Sequence, residues 1–351
     1  MTEPPFARMI DLAAEKLGGK VLLCSDDFFA EKENLIKPGR GIFIPDKYTD
    51  RGKWMDGWES RRKRTPGHDW CIVQLATTGK IHGVDIDTNH FLGNHPPHAS
   101  IDACLIELRA ESTFPENQAS WTEILPKSPL EPGSQNLFVI QDHRPYSHLR
   151  LNIYPDGGVA RLKVYGEVVR DWGKVSLDEL IDLAAAINGA KSVRCNDMFF
   201  SHMDNLIMPG RGANMGDGWE TKRNRTPGNR DWVIVRLAHE GFPEKIVIDT
   251  CHFKGNYPDS CMLEGCVAEA DITDFSSVEW KPILQQTKLD ADCEQVYESE
   301  IVNKGPFTHV RLAIFPDGGI SRMRLWGKIE KKAKAEAKSA IRNPKSAIRN
   351  Q

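Results

Sequence analysis

The chain is organised around the stretch Asp56-Gly57-Trp58-Glu59-Ser60-Arg61-Arg62-Lys63-Arg64-Thr65-Pro66-Gly67, because most of it occurs twice. The second copy reads Asp217-Gly218-Trp219-Glu220-Thr221-Lys222-Arg223-Asn224-Arg225-Thr226-Pro227-Gly228. Each copy is followed by apolar residues that lead to Asp87-Thr88-Asn89-His90-Phe91-Leu92-Gly93-Asn94 and to Asp249-Thr250-Cys251-His252-Phe253-Lys254-Gly255-Asn256. A core requires a repeated apolar pattern, not repeated charged residues. We therefore infer a duplicated domain whose polar residues serve a purpose beyond packing.

The repetition extends toward both ends of the chain. Residues 10–14, 24–29 and 34–40 match residues 181–185, 195–200 and 205–211, and the turn Pro155-Asp156-Gly157-Gly158 matches Pro316-Asp317-Gly318-Gly319. The sequence thus predicts one domain over residues 1–172 and a second over residues 173–328. Residues 329–351 are predicted to be a basic Lys/Ala-rich tail, disordered or helical.

Most of the predicted secondary structure is β-strand. Residues 71–75 and 233–237 are short β-branched apolar runs, and residues 149–154 and 310–315 alternate apolar with polar. The Pro-Asp-Gly-Gly motif that directly follows each alternating run predicts a tight turn, because proline presets φ and glycine accepts positive φ. The pattern predicts an all-β fold of two tandem β-sandwiches with short helices. One helix is expected in each half, at residues 7–17 and 177–187, the second capped by Ser176 with Glu179 three residues on.

Composition excludes several classes of protein. The formal net charge is −3, which gives no bulk attraction to nucleic acid or to an anionic membrane. No apolar run approaches the roughly 20 residues of a membrane helix, and the first residues lack a secretory signal pattern. The eight cysteines show no Cys-x-x-Cys spacing and are interpreted as reduced thiols of a cytoplasmic protein. No nucleotide-binding or serine-hydrolase motif occurs, so we predict no cofactor.

Two glutamates are candidate acid/base groups. Glu59 and Glu220 each follow a tryptophan, and a carboxylate beside an indole loses water, which raises its pKa toward neutrality. The alternative is that each glutamate pairs with nearby arginines and pins its loop. The recurring arginines suit bidentate binding of a carboxylate, with a solvated charged loop as the alternative.

Histidines recur at two further places. His90 and His252 follow Asp87 and Asp249 at a predicted strand end, where they could act as acid/base groups or as metal ligands. A jelly-roll metal site usually has two histidines one residue apart plus a carboxylate; this spacing is absent, so we predict no metal. Another pair, His148 and His309, alternates with arginine along a strand, which indicates a site wall or an interface.

These segments resemble those of the allantoicase family. The resemblance rests on Asp-Gly-Trp-Glu, the Arg-rich segment ending in His68-Asp69-Trp70, Asp-Thr-x-His-Phe-x-Gly-Asn and Pro-Asp-Gly-Gly, and it covers about residues 6–327 in both repeats. It implies two jelly-roll β-sandwich modules of the galactose-binding-like type, assembled into homo-oligomers. It also implies hydrolysis of allantoate to (S)-ureidoglycolate and urea in purine nitrogen catabolism.

Allantoate carries one carboxylate and two ureido groups on a single sp³ carbon. Loss of urea requires a proton on the leaving nitrogen and a hydroxyl from water on the carbon. The acid/base candidates are Glu59, Glu220, His90, His252, Asp87 and Asp249. The substrate-binding candidates are Arg40, Arg62, Arg211, Arg223, Asn94, Asn256, Trp58, Trp219, His148 and His309.

Two other functions stay open. A tryptophan beside charged loop residues is also typical of a lectin-like sugar-binding module. The protein could alternatively be a scaffold with one inactive repeat. The first repeat has an insertion near Tyr48, and Asn229-Arg230 stand in place of His68, so the two halves are not equivalent.

Overall fold

The computed structural model describes residues 4–106, 114 and 119–331, and the predicted tail beyond residue 331 lies outside this range. Strands are the main regular secondary structure of the described residues, and they form two halves of the same topology. The strands of the first half are β1 (Ile10–Asp11), β2 (Lys20–Cys24), β3 (Tyr48–Thr49), β4 (Gly52–Lys53), β5 (Trp58–Glu59), β6 (Asp69–Asp87), β7 (His98–Cys104), β8 (Thr122–Pro129), β9 (Gln135–Val139), β10 (Pro145–Tyr154), β11 (Gly158–Val159) and β12 (Arg161–Val168).

The second half repeats these strands except for β3 and β4, which form a hairpin within the insertion of the first half. Its strands are β13 (Ile181–Asp182), β14 (Lys191–Cys195), β15 (Trp219–Glu220), β16 (Asp231–Asp249), β17 (Ser260–Cys266), β18 (Lys281–Lys288), β19 (Glu294–Tyr297), β20 (Phe307–Phe315), β21 (Gly319–Ile320) and β22 (Arg322–Ile329). Short 3-10 turns lie at Pro5–Arg8, Glu15–Leu17, Lys32–Ile36, Trp172–Lys174, Ala186–Asn188, Met203–Ile207 and Met215–Asp217.

One long strand joins the two layers of each sandwich. The first part of β6 pairs with β2 and β10, whereas its second part pairs with β9 and β12. In the second half β16 has the same role, pairing with β14 and β20 and then with β19 and β22. Strands that pass from one layer to the other make the corners of a sandwich. The predicted all-β fold of two tandem jelly-roll sandwiches is confirmed.

The two predicted helices are wrong. Residues 7–17 contain β1 between two 3-10 turns, and residues 177–187 contain β13. The cause is a half-buried aspartate, Asp11, whose carboxylate accepts backbone N–H bonds from Ala13 and, across the sheet, from Val164 at 3.1 and 2.9 Å. Asp182 makes the matching bonds in the second half. Pairing with the sheet therefore outweighs the helical propensity of the segment.

The two halves pack against each other. Leu17 of the first half is 3% exposed and lies in the hydrophobic core of the second half, where Leu183 and Leu237 also lie. The neighbouring Lys16 extends its Nζ to Asp217 of the second half, 2.5 Å from the Oδ1 atom. No helix among the described residues is long and apolar enough to cross a membrane.

Candidate active site

Backbone pairing fixes the position of Glu59. Strand β5 pairs with β11 so that Glu59 lies opposite Gly158, and its N–H donates to the carbonyl of Ala30 at 3.0 Å. Gly158 also donates its N–H to the carbonyl of Asn94 at 2.8 Å. One glycine therefore brings Asn94, 35 residues away along the chain, beside Glu59.

This arrangement requires glycine at the end of the Pro-Asp-Gly-Gly turn. A Cβ on Gly158 would lie 2.0 Å from the ring of Phe91, which is fully buried. In the second half a Cβ on Gly319 would lie 1.9 Å from Phe253. The turn motif recurs because backbone and ring must approach closely at the same point in both repeats.

Each glutamate is hydrogen-bonded to an asparagine. Asn94 Nδ2 donates to Glu59 Oε1 at 2.7 Å, and Asn256 Nδ2 donates to Glu220 Oε1 at 2.5 Å. Burial raises the pKa of Glu59 from its usual value, and the bond from Asn94 opposes this shift. Within the described part of the chain neither glutamate forms an ion pair, so the pinning of the loop by a Glu–Arg pair, the alternative from sequence, is not what the structure shows.

Aspartates hold the Arg-rich segment instead. The N–H groups of Arg61 and Lys63 donate to Asp26 and Asp156 at 2.8 and 2.7 Å, and Arg61 also forms an ion pair with Asp26. In the second half Asp197 and Asp317 bind the N–H groups of Lys222 and Asn224. Sequence reasoning missed these four aspartates, although each recurs at the same place in both repeats.

Two arginines next to the anchored residues in each repeat have no partner among the residues that the structure describes. Arg62, Arg64, Arg223 and Arg225 are exposed, and they make no hydrogen bond or ion pair with any described residue. Arg223 and Arg225 line an open pocket of about 760 Å³ together with Glu220 and Asn256. Since a guanidinium without a partner is free to bind an incoming anion, the pocket offers positive charge beside a half-buried carboxylate.

Trp58 and Trp219, both predicted from the sequence to bind substrate, lie in the cores of their two halves. Both are 0% exposed, and their indole N–H groups donate to the carbonyls of Asp26 and Asp197 at 2.8 and 2.9 Å. Successive side chains of a strand point to opposite faces, so the tryptophan of β5 points into the core and Glu59 points out of it.

The arginines and aspartates at the strand ends are bound to each other. Arg40 contacts both carboxylate oxygens of Asp87, at 2.7 and 2.8 Å, and Arg211 contacts both of Asp249 at 3.0 Å. Both carboxylates are buried, and each also accepts a backbone N–H two residues on. These pairs tie a loop to the end of β6 or β16, and they offer the substrate neither a free carboxylate nor a free guanidinium.

Among the described residues, none of the four candidate histidines is hydrogen-bonded to Glu59 or Glu220. His90 stacks on Phe43 with ring centroids 5.5 Å apart, and His252 Nε2 lies 2.8 Å from the carbonyl of Gly212. His148 and His309 are buried, and burial lowers the pKa of each to about 4. Strand β10 ends at Tyr154, just before the turn that pairs with Glu59, and His148 lies six residues earlier. At ~3.3 Å per residue, His148 and that strand end are roughly 20 Å apart.

Comparison with known proteins gives one consistent result. A family model described as the allantoicase repeat matches residues 10–169 and again residues 181–330. A probable allantoicase of Pseudomonas fluorescens is 49% identical over 329 residues, 93% of this chain and 98% of that protein, and a probable allantoicase of Burkholderia mallei is 50% identical over 333 residues, 93% and 97%. The crystal structure of allantoicase from Saccharomyces cerevisiae superposes with a TM-score of 0.77 at 40% identity and covers 91% of this chain and 92% of that one.

Proposed function

Since this chain belongs to the allantoicase family, we propose that it is a hydrolase that converts allantoate and water to (S)-ureidoglycolate and urea in purine nitrogen catabolism. The observation that carries the assignment of residues is the Glu–Asn pair, present at Glu59 and again at Glu220, with the unpaired Arg223 and Arg225 lining the same pocket as Glu220. Such a site matches an anionic substrate rich in amide groups.

The arginines bind the carboxylate of the substrate. Arg62 and Arg223 occupy the same place in the two repeats, and neither needs to break an existing ion pair before binding. A guanidinium and a carboxylate form two parallel hydrogen bonds, which fixes the orientation of the substrate as well as its position.

The asparagines bind a ureido group. The Nδ2 of Asn94 is directed to Glu59, so its Oδ1 remains as an acceptor for a ureido N–H, and Asn256 is placed in the same way beside Glu220. This amide orientation follows because Oε1 of the glutamate accepts the hydrogen bond, and it still accepts when the carboxyl proton is on Oε2.

The glutamate moves both protons. A protonated Glu59 or Glu220 donates its proton to the ureido nitrogen as the carbon–nitrogen bond breaks, and urea leaves. The resulting carboxylate then takes a proton from the water whose oxygen bonds to the carbon, which restores the starting state. Partial burial favours the protonated form of Glu59 needed for the first step, and each such transfer contributes ~10²–10⁴ in rate. Neither His90 nor His252 is required.

Substitution of the glutamates by glutamine tests this assignment. Glu59→Gln and Glu220→Gln keep an oxygen that accepts the bond from asparagine but cannot donate a carboxyl proton, so we expect urea release to fall by ~10² or more in each half that is active. Arg62→Met and Arg223→Met are expected to raise KM, and Glu298→Gln, an exposed carboxylate, serves as the control. Normal kcat in both glutamine variants, or glycan binding without urea release, would contradict the proposal.

A sugar-binding module has less support. It rested on a tryptophan beside the charged loop, and both tryptophans are buried, so neither presents a face on which a sugar ring could stack. The active half is identified by whichever glutamine variant loses urea release.

Assembly and compartment are part of the same proposal. Phe199 and Phe200 expose 68% and 61% of their surface next to Glu220, and large exposed apolar side chains of this kind support a homo-oligomer. All eight cysteines are free, which supports a reducing, cytoplasmic location. Light scattering coupled to size exclusion tests the first point; a monomeric mass would contradict it.

A further inference from the structure

We propose that the second repeat carries a zinc-type metal site that the first repeat lacks, formed by Cys251, His252 and Asp292. One donor atom from each of these residues lies within 4.8 Å of the other two. Thiolate, imidazole and carboxylate are the donors that zinc takes in proteins, and three protein donors leave a fourth position for water.

The backbone has already joined the two loops that supply the donors. Thr250 donates its N–H to the carbonyl of Cys293 at 2.9 Å, and the N–H of His252 donates to Asp292 Oδ1 at 2.6 Å. Both His252 and Asp292 have positive φ, 72° and 51°, which is uncommon for residues other than glycine. The loops therefore hold the side chains together by fixed backbone geometry.

One ring nitrogen of the histidine is already hydrogen-bonded to the backbone. Its Nε2 lies 2.8 Å from the carbonyl of Gly212, and because a carbonyl can only accept, Nε2 must carry the hydrogen. The lone pair is then on Nδ1. A metal-binding histidine commonly donates its other ring N–H to a backbone carbonyl or a carboxylate, which fixes the tautomer in this way.

The first repeat has a different arrangement at each of these places. Asn89 stands where the second repeat has Cys251, and Gly133 stands where it has Asp292. Asn89 Nδ2 binds the carbonyl of Gly41, at 2.7 Å. Gly41 matches Gly212, so the carbonyl that an asparagine holds in the first repeat is held by His252 in the second. The Cys251 thiol, at the position of Asn89, does not make this contact.

Metal binding requires a small closure of the cluster. Zinc bonds of ~2.3 Å to sulfur and ~2.0–2.1 Å to nitrogen place tetrahedral donors about 3.3–3.7 Å apart. The donor atoms now lie within 4.8 Å of one another, so the side chains must move closer together. Cys251 and His252 are half-buried and Asp292 is exposed, which leaves their side chains room to rotate. Lys254 Nζ, 3.6 Å from Asp292 Oδ2, must move away.

A metal at this site would restrain residues 249–256, the loop that carries Asn256 to Glu220. Residues 249–256 begin at the metal cluster and end at Asn256, whose amide binds Glu220 Oε1. A metal held between this loop and Asp292 would restrain the asparagine from one side. The first repeat would not respond, since it lacks two of the three donors.

Cobalt and zinc titration of the full chain tests the site without an activity assay. After removal of metal by a chelator, we expect one equivalent of Co²⁺ to give tetrahedral ligand-field bands and a thiolate-to-cobalt charge-transfer band, and Zn²⁺ to displace it. Cys251→Asn installs the residue of the first repeat and should abolish the charge-transfer band. Asp292→Asn, which tolerates positive φ and can still accept from His252 N–H, removes one charged donor and should weaken binding at least as much as the ~10–100-fold that loss of an outer-shell partner costs.

Cys293→Ser is the matched control, because Cys293 is a half-buried free cysteine next to Asp292 but does not belong to the cluster. It should bind cobalt as the unmodified chain does. A circular dichroism melt of Cys251→Asn establishes that it is folded. The proposal is overturned if the unmodified chain shows no charge-transfer band, if Cys251→Asn retains it, or if Cys293→Ser loses it.

Discussion

An ion pair that begins each Asp-Gly-Trp-Glu segment, Asp56 with Arg161 and Asp217 with Arg322, gives the sharpest stability prediction. Arg161 is 2% exposed; its Nη2 donates to Asp56 Oδ2 at 2.8 Å, and its Nη1 donates to the backbone carbonyls of Asp56 and Ala160 at 2.9 and 2.7 Å. Burial opposes ionisation of Asp56, but hydrogen bonds from Arg161 and from the N–H of Ile42 outweigh it and hold the pKa of Asp56 below its usual range.

Arg161→Met removes the cation and leaves a charged, half-buried carboxylate that keeps only the N–H of Ile42. Loss of one partner of a buried pair costs about 3–5 kcal/mol, because the remaining charge and the carbonyls that Arg161 served lose their donors. For a domain of this size each kcal/mol lowers Tm by roughly 2–4 °C, so we expect a decrease on the order of 10 °C. Thermal unfolding followed by circular dichroism measures it.

The second repeat supplies an internal control. Arg322 makes the same contacts with Asp217, but Asp217 also receives Lys16 from the first repeat at 2.5 Å. Arg322→Met therefore leaves one cation on the carboxylate and should destabilise less than Arg161→Met. The double variant Asp56→Leu/Arg161→Met should recover part of the loss. If Arg161→Met melts within about 1 °C of the unmodified chain, or if Arg322→Met is the worse of the two, the reasoning is refuted.

Two further predictions concern packing and pH. Gly158→Ala places a methyl 2.0 Å from Phe91 where carbon atoms prefer ~3.5–4.0 Å, so we expect a loss of about 1–3 kcal/mol and weaker urea release, whereas Gly93→Ala, with open space around it, should change neither. Burial lowers the pKa of His148 to about 4 from 6.5, so the unfolded chain binds more protons between these values and stability falls as pH drops through that window. The free energy of unfolding, measured by urea denaturation, should therefore fall less between pH 6.5 and pH 4 in His148→Phe than in the unmodified chain. An equal fall in both chains would contradict this effect.

The sequence predicted the duplication and the sandwich, because repeated polar motifs and strand alternation are local signals. It also placed Glu59, Arg62 and Asn94 among the candidates. It did not predict that Trp58 lies in the core, although alternation along β5 places the tryptophan and Glu59 on opposite faces. The helix at residues 7–17 was predicted from propensity, and only the bond from Val164 to Asp11, 153 residues apart, explains its absence.

The contact between Asn94 and Glu59 could not have been derived from pattern alone. It depends on Gly158, which accepts no side chain and joins the two segments by its backbone. The pairing of Arg40 with Asp87 was equally hidden, since both residue types also suit binding to a substrate. Motif recurrence identified residues that matter, and geometry separated those that hold the loops from those that face the pocket.

Leu17, seated in the neighbouring half, has an evolutionary consequence. Deleting the first repeat would leave a hole in the core of the second, which therefore depends on its neighbour for part of its packing. A repeat that lost its chemistry would still be retained by selection as part of its sister's fold. Inactive copies should therefore decay only at their pockets and keep the residues that bury Leu17.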